Sequence, residues 1–128
     1  MGKSKHNTPV ELTEAEWKII KFVWENEPCP AGTVQESLLK ENGWAYSTVK
    51  TMMDRMVKKG ALKHTKIRNL NLFSSALSPT EAKAGEFRRM LKRAFDGALA
   101  PMMQFLLENE KLSDEDIKQL RKLTEKTK

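Results

Sequence analysis

A single cysteine, Cys29, in a chain of 128 residues closes no internal disulfide and supplies no Cys-x-x-Cys pair. This excludes a stapled secreted scaffold and a zinc ribbon. No apolar run approaches the roughly 18 residues that a membrane-spanning helix needs, and the most apolar stretch, Ala98 to Leu107, is broken by Pro101 and Gln104. The six glycines are scattered, so no phosphate-cradling loop is formed. The histidines His6 and His64 share no ligand spacing with Cys29, which also lacks the orienting third group of a nucleophilic site, and no metal is expected. Asp114, Glu115 and Asp116 form a helix-start charge run, favoured by the helix dipole, rather than paired catalytic carboxylates. The expectation is therefore a non-enzyme without a cofactor. The basic opening MGKSKHNTP leads into no apolar segment, so residues 1–11 read as a flexible arm and not a signal peptide, with the cytoplasm as the expected location and no membrane insertion.

What the chain does have is a local excess of positive charge. Lys and Arg number 23 against 17 Asp and Glu, a net charge of +6. Lys50, Arg55, Lys58, Lys59, Lys63, Lys66 and Arg68 face the single acid Asp54 within one short stretch, which alone accounts for that +6. A concentrated field of this kind calls for a polyanionic partner.

The pattern around the basic stretch is helical. Thr13 and Glu16 have the spacing of a capping box, after which Glu14, Lys18, Lys21 and Glu25 mark a polar face and Trp17, Ile20, Val23 and Trp24 an apolar one. Pro28 and Pro30 end this helix, and Cys29 between them reads as a turn residue. Ala31 to Glu41 reads as a second helix, inward at Val34, Leu38 and Leu39 and stopped at Asn42-Gly43. From Ser47 to Lys59 a third separates Val49, Met52, Met53, Met56 and Val57 from a polar face, with Gly60 placed to end it. The period then drops to two, predicting two short strands around an Arg68-Asn69 turn.

Three helices and a two-stranded ribbon, one helix basic on its outer side, are the order of a winged helix-turn-helix domain, expected here over residues 12–77. A major groove about 12 Å wide admits one helix, held from behind by a core and carrying groups that meet phosphates and base edges. Ser47 to Lys59 has that form: Lys50, Arg55, Lys58 and Lys59 bring charge, while Ser47, Thr48 and Thr51 are short enough for close approach. Lys63, His64, Lys66 and Arg68 on the ribbon are expected over neighbouring backbone or the minor groove. The competing reading is a protein-interaction module whose basic winged surface binds an acidic partner.

Residues 78–128 open with a Ser78-Pro79-Thr80-Glu81 cap, and Phe87, Leu91, Phe95, Leu99, Met102 and Leu106 then recur along one side with a kink or break expected near Gly97 and Pro101. A last helix starts at Ser113 and presents Ile117, Leu120 and Leu123. So short a helical segment buries too little to stand alone. These residues are therefore expected to pair in a homodimer, which also spaces two recognition helices about 34 Å apart for an inverted repeat. The alternative is an intrachain core packed on the winged domain. Met90, Met102 and Met103 read as adaptable filler and not as a metal cluster.

The string Leu12-Thr13-Glu14-Ala15-Glu16-Trp17, then Val23-Trp24, then Gly43-Trp44-Ala45-Tyr46-Ser47-Thr48-Val49-Lys50-Thr51, with Arg55, Lys58-Lys59-Gly60 and Leu62 behind it, resembles the penicillinase repressor family. The likeness is strong from Leu12 to about Phe73 and weaker beyond. It implies a dimeric transcriptional repressor on a palindromic operator in double-stranded DNA, with recognition contacts falling on Ser47, Thr48, Lys50, Thr51 and Arg55, wing contacts around Lys66 and Arg68, and Trp17, Trp24 and Trp44 as core aromatics. A copper-responsive branch of the family ends in paired Cys-x-Cys motifs, which this chain lacks. In the antibiotic-resistance branch a membrane sensor pathway leads to cleavage at an Asn-Phe bond in the dimerisation helices. The nearest position here is Gln104-Phe105.

Overall fold

The computed structural model describes residues 10–126, with side chains from 10 to 122. His6, most of the expected arm and the side chain of Leu123 lie outside the described residues. The chain divides into two compact units, Met1–Glu86 and Phe87–Lys128. The division falls later than the expected boundary at 77/78, and Ala82 in the first turn of the fourth helix belongs to the first unit's core.

The first unit is built as its local chemistry dictates. Helix α1 (Glu14–Asn26) starts at a full capping box, Thr13 Oγ1 accepting from Glu16 N at 3.2 Å and Glu16 Oε1 from Thr13 N at 2.9 Å. Helix α2 (Ala31–Asn42) stops at Gly43, whose φ of 64° costs little without a Cβ and whose N–H donates to the Leu39 carbonyl. Helix α3 (Tyr46–Lys58) follows after a short turn, tied by a hydrogen bond from Gln35 Nε2 to the Trp44 carbonyl at 3.0 Å. Strands β1 (Leu62–Ile67) and β2 (Leu70–Ser75) pair antiparallel, from Leu62 opposite Ser75 to Ile67 opposite Leu70.

The core gathers Ile19, Ile20 and Val23 from α1, Val34 from α2, Val49, Met53 and Met56 from α3, and Leu62 and Phe73 from the ribbon. Three sequence expectations shift here. Trp17 and Trp24 are half-buried at the core's rim, edge-on with centroids 6.2 Å apart, while the smaller Ile19 takes the centre. Trp44 is likewise half-buried, and Leu39 is exposed. Cys29 is more than a turn residue: its backbone exchanges two hydrogen bonds with Phe73, at 3.0 and 2.8 Å, and so moors the ribbon to the segment between α1 and α2. Glu27 adds a second mooring, its carboxylate accepting from Ser75 N and Oγ at 2.6 and 2.9 Å.

The second unit begins within α4 (Pro79–Phe95), which itself starts at a reciprocal Ser78 and Glu81 cap. The expected break comes at Asp96 and Gly97, both at positive φ, before α5 (Leu99–Asn109) begins. Pro101 sits in the first turn of α5, where its missing N–H has no helical acceptor to lose. Helix α6 (Asp114–Lys126) opens with Ser113 and Asp116 capping each other. Phe95 and Phe105 meet with ring centroids 5.8 Å apart, yet no side chain of α5 is buried.

Candidate nucleic-acid interface

Helix α3 presents two opposed faces because its apolar residues recur with helical period. Val49, Met53 and Met56 are fully buried, while Ser47, Thr48, Thr51, Asp54, Arg55 and Lys58 are exposed on the other side. The buried stripe anchors the helix to α1, α2 and the ribbon, so the exposed residues are held on a rigid rod. The backbone at its C-terminal end is satisfied by Lys59 N donating to the Arg55 carbonyl at 3.0 Å and Ala61 N to the Met56 carbonyl at 2.9 Å. Gly60 takes φ 89° between them.

Not every expected cation lies on that face. Lys59 is placed differently from the sequence-based expectation: its Nζ donates to Glu16 Oε1 at 2.8 Å and to the Glu11 carbonyl at 2.9 Å. The physical reason is Glu16, which is buried by the start of α1 and whose carboxylate needs a counter-ion there. Lys59 thus joins the C-terminal end of α3 to the N-terminal end of α1. Lys50 remains at the flank of the exposed face and donates to both carboxylate oxygens of Asp54, at 3.2 and 3.0 Å.

The ribbon carries the rest. Strand periodicity puts Leu62, His64 and Lys66 on the side shared with Phe73, and Lys63, Thr65 and Ile67 on the other, so Lys63 and Lys66 leave the ribbon in opposite directions. The His64 ring lies against Phe73, and its Nε2 is 3.0 Å from Asn71 Oδ1. At the tip Arg68 holds φ 60°, a left-handed conformation in which its Cβ crowds the backbone carbonyl. Ile67 and Leu70 flank it as a directly opposed, exposed apolar pair. Tyr46 is likewise exposed, at the first turn of α3; the sequence carries no signal for these three, because only the fold shows which apolar or aromatic residues stay uncovered.

Among the described residues, no three His, Cys, Asp or Glu side chains gather where they could hold a metal ion. Cys29 is buried, and that burial first, with the nearby Glu27 charge second, pushes its thiol pKa up, away from the reactive thiolate. No helix among the described residues is long and apolar enough to cross a membrane.

A helix pair ending in a basic helix, followed by a cationic two-stranded wing, defines the winged helix-turn-helix class of DNA-binding regulator. Residues 12–126 match the penicillinase repressor family, and the chain belongs to it: a family of DNA-binding transcriptional repressors rather than enzymes. It is 29% identical over 118 residues to the penicillinase repressor of Bacillus licheniformis, covering 92% of each chain. It is 22% identical over 120 residues to the methicillin resistance regulatory protein MecI of Staphylococcus aureus strain N315, covering 94% of this chain and 98% of that one. The solved DNA-binding domain of the repressor BlaI superposes with a TM-score of 0.52 at 26% identity, over 58% of this chain and 90% of that one. The monomeric form of Bacillus licheniformis BlaI, solved in complex with the blaP half-operator, superposes with a TM-score of 0.51 at the same identity and coverage.

Proposed function

We propose that the chain is a homodimeric repressor that binds an inverted-repeat operator with α3 in the major groove of each half-site. Ser47, Thr48, Lys50, Thr51, Arg55 and Lys58 are the contact residues on α3 in this reading, and Lys63, Lys66 and Arg68 the contacts of the wing. The observation that carries it is the exposed cationic and hydroxyl face of α3 directly behind a fully buried stripe. That is the arrangement a groove-reading helix requires, because the core fixes the helix while its outer side chains stay free to meet bases. The half-operator complex of the relative BlaI supports the same use of the fold.

The dimer rests on the second unit. Phe87, Leu99, Phe105, Leu107, Ile117 and Leu120 are exposed, and Leu91, Phe95, Met102 and Leu106 are only half-buried. Apolar area of this kind calls for a partner, and a second copy brings the same surface. Release is assigned to cleavage between Gln104 and Phe105. Both residues are exposed on α5, so a protease reaches the bond once that helix locally unwinds.

Anisotropy titration of the full chain against a pool of random duplexes, followed by recovery of the bound fraction, tests the reading. The expected result is enrichment of a two-fold-symmetric sequence and a steep fall in affinity with salt. Binding without any sequence enrichment would refute it, and light scattering that finds only monomer at micromolar concentration would refute the dimer.

A further inference from the structure

One residue on the outer face of α3 does not share the character of the others. Ser47, Thr51, Asp54 and Lys58 recur at i, i+4, i+7 and i+11, opposite the buried Val49, Met53 and Met56, so this row points most directly away from the core. In its middle stands a carboxylate. Asp54 is 54% exposed and is the only acid between Lys50 and Thr80. On a surface that meets a polyanion it is repelled by every phosphate, and it gains only where it finds a hydrogen-bond donor.

The major groove offers such donors on two bases only. Guanine presents the acceptors N7 and O6, and thymine presents O4 and a methyl group, so neither answers a carboxylate. Adenine offers its N6 amino group, but the acceptor N7 lies beside it and opposes a second carboxylate oxygen. Cytosine offers N4 without that penalty. Lys50 completes the match. Its ammonium holds both oxygens of Asp54, at 3.2 and 3.0 Å, so an acceptor and a donor stand side by side one helical turn apart. Across a C·G pair the groove edge presents the complementary couple, the N4 donor of cytosine beside the O6 acceptor of guanine.

We propose that Asp54 and Lys50 together read one C·G base pair in each half-site, Asp54 accepting from cytosine N4 and Lys50 donating to guanine O6 or N7. This deepens the reading of α3 given above and rests on it. The ion pair orients the carboxylate before DNA arrives and offsets its repulsion by flanking phosphates. It also sets selectivity, since guanine and thymine present only acceptors or a methyl group to the carboxylate, and at adenine the N6 donor comes with the opposing N7 acceptor.

The test is selection from a random duplex pool by the full-length chain, run in parallel for wild type, Asp54→Asn and Asp54→Ala, each with the wild-type circular dichroism spectrum. Wild type should fix a C·G pair at one position of each half-site. Asp54→Asn should lose that preference by on the order of ten-fold or more and shift it towards A·T, because an amide pairs bidentately with adenine N6 and N7. Preferences at the other positions should persist. Asp54→Ala should lose the preference at the same position while binding unselected duplex more tightly, having removed the one negative charge from the face. Identical preferences in all three pools would overturn the assignment of Asp54 while leaving the repressor reading intact. A wild-type pool that enriches no sequence would overturn both.

Discussion

Glu16 is the residue through which the clamp between α1 and the C-terminal end of α3 can be tested most directly. Its Oε1 accepts from Thr13 N at 2.9 Å and from Lys59 Nζ at 2.8 Å, and its side chain is only 5% exposed. Truncation by Glu16→Ala therefore removes two interactions at once. Loss of its half of the capping box costs about 1 kcal/mol. Breaking a fully buried ion pair costs about 3–5 kcal/mol, but Lys59 is 31% exposed and keeps the Glu11 carbonyl at 2.9 Å, so its ammonium reaches other partners and the loss falls to about 1–2 kcal/mol. The sum, about 2–3 kcal/mol, is a large share of the roughly 5–15 kcal/mol that holds a small domain folded. Glu16→Gln separates the two parts: the amide oxygen still caps Thr13 and only the charge is lost, so the expected cost is about 1 kcal/mol. Urea unfolding followed by tryptophan fluorescence reports on the site, because Trp17 is the next residue. A Glu16→Ala unfolding free energy within about 0.5 kcal/mol of wild type would show that neither the cap nor the clamp matters and would sink the reasoning.

On the DNA side, Arg55→Ala should weaken binding to a selected operator by about 1–3 kcal/mol if it meets a base, read by gel shift. Lys58→Ala should weaken all duplexes alike and lower the slope of log affinity against log salt by about 0.9; a sequence-dependent effect of Lys58→Ala would contradict its phosphate role. At the wing tip, Arg68→Gly should raise the unfolding free energy by up to about 1 kcal/mol, since glycine adopts φ 60° without the Cβ clash, and weaken DNA binding all the same. The Cys29 thiol, with its folded pKa raised by burial, stays protonated in the native state while the unfolded thiol ionises from about pH 8.5. Unfolding then releases a proton, so stability should be lost as pH rises from there towards the folded pKa, and Cys29→Ser should remove that part of the alkaline slope in thermal melts. Truncation after Glu86 should leave a folded first unit that binds operator far more weakly than the full chain, because two linked half-site contacts become one.

Much of this is legible in the sequence. The Thr13 and Glu16 box, the Gly43 and Gly60 stops, the Arg68-Asn69 turn and the Ser78 and Ser113 caps each rest on local chemistry, and local chemistry is what sequence records. The α3 face was legible too, since its apolar period leaves one placement for the core. What stayed hidden depends on residues far apart in the chain. Glu16 reads as half of a cap, and nothing nearby reveals that Lys59, forty-three positions on, supplies its counter-ion. Cys29 reads as a turn residue because its partner, Phe73, is equally remote. Trp17 and Trp24 read as core from the helical period, and Trp44 from the family likeness, but a large ring is rarely enclosed completely, and Ile19 and Phe73 fill the centre instead. The 77/78 boundary follows the start of a helix cap, whereas the first turn of that helix still contributes Ala82 to the first core.

The two units stand on different footings, and this bears on how such a repressor is switched. The first encloses its own core, from Ile19 to Phe73, and depends on no second chain to bury it. In the second, α5 has no buried side chain, and Phe105 and Leu107 face solvent in a single chain. Under the proposed dimer, ordering of α5 and α6 is therefore linked to association, since the apolar area that offsets their chain entropy is covered only by the partner. A cut between Gln104 and Phe105 would split α5 within that area, while the chain of α3, the wing and the Glu16 clamp stays intact. The reading surface would survive, but without the tether each half-site is bound alone, and the effective concentration that holds the second recognition helix over its half-site is lost. Under that proposal a switch placed in the second unit works by ending bivalency, with no need to unfold α3.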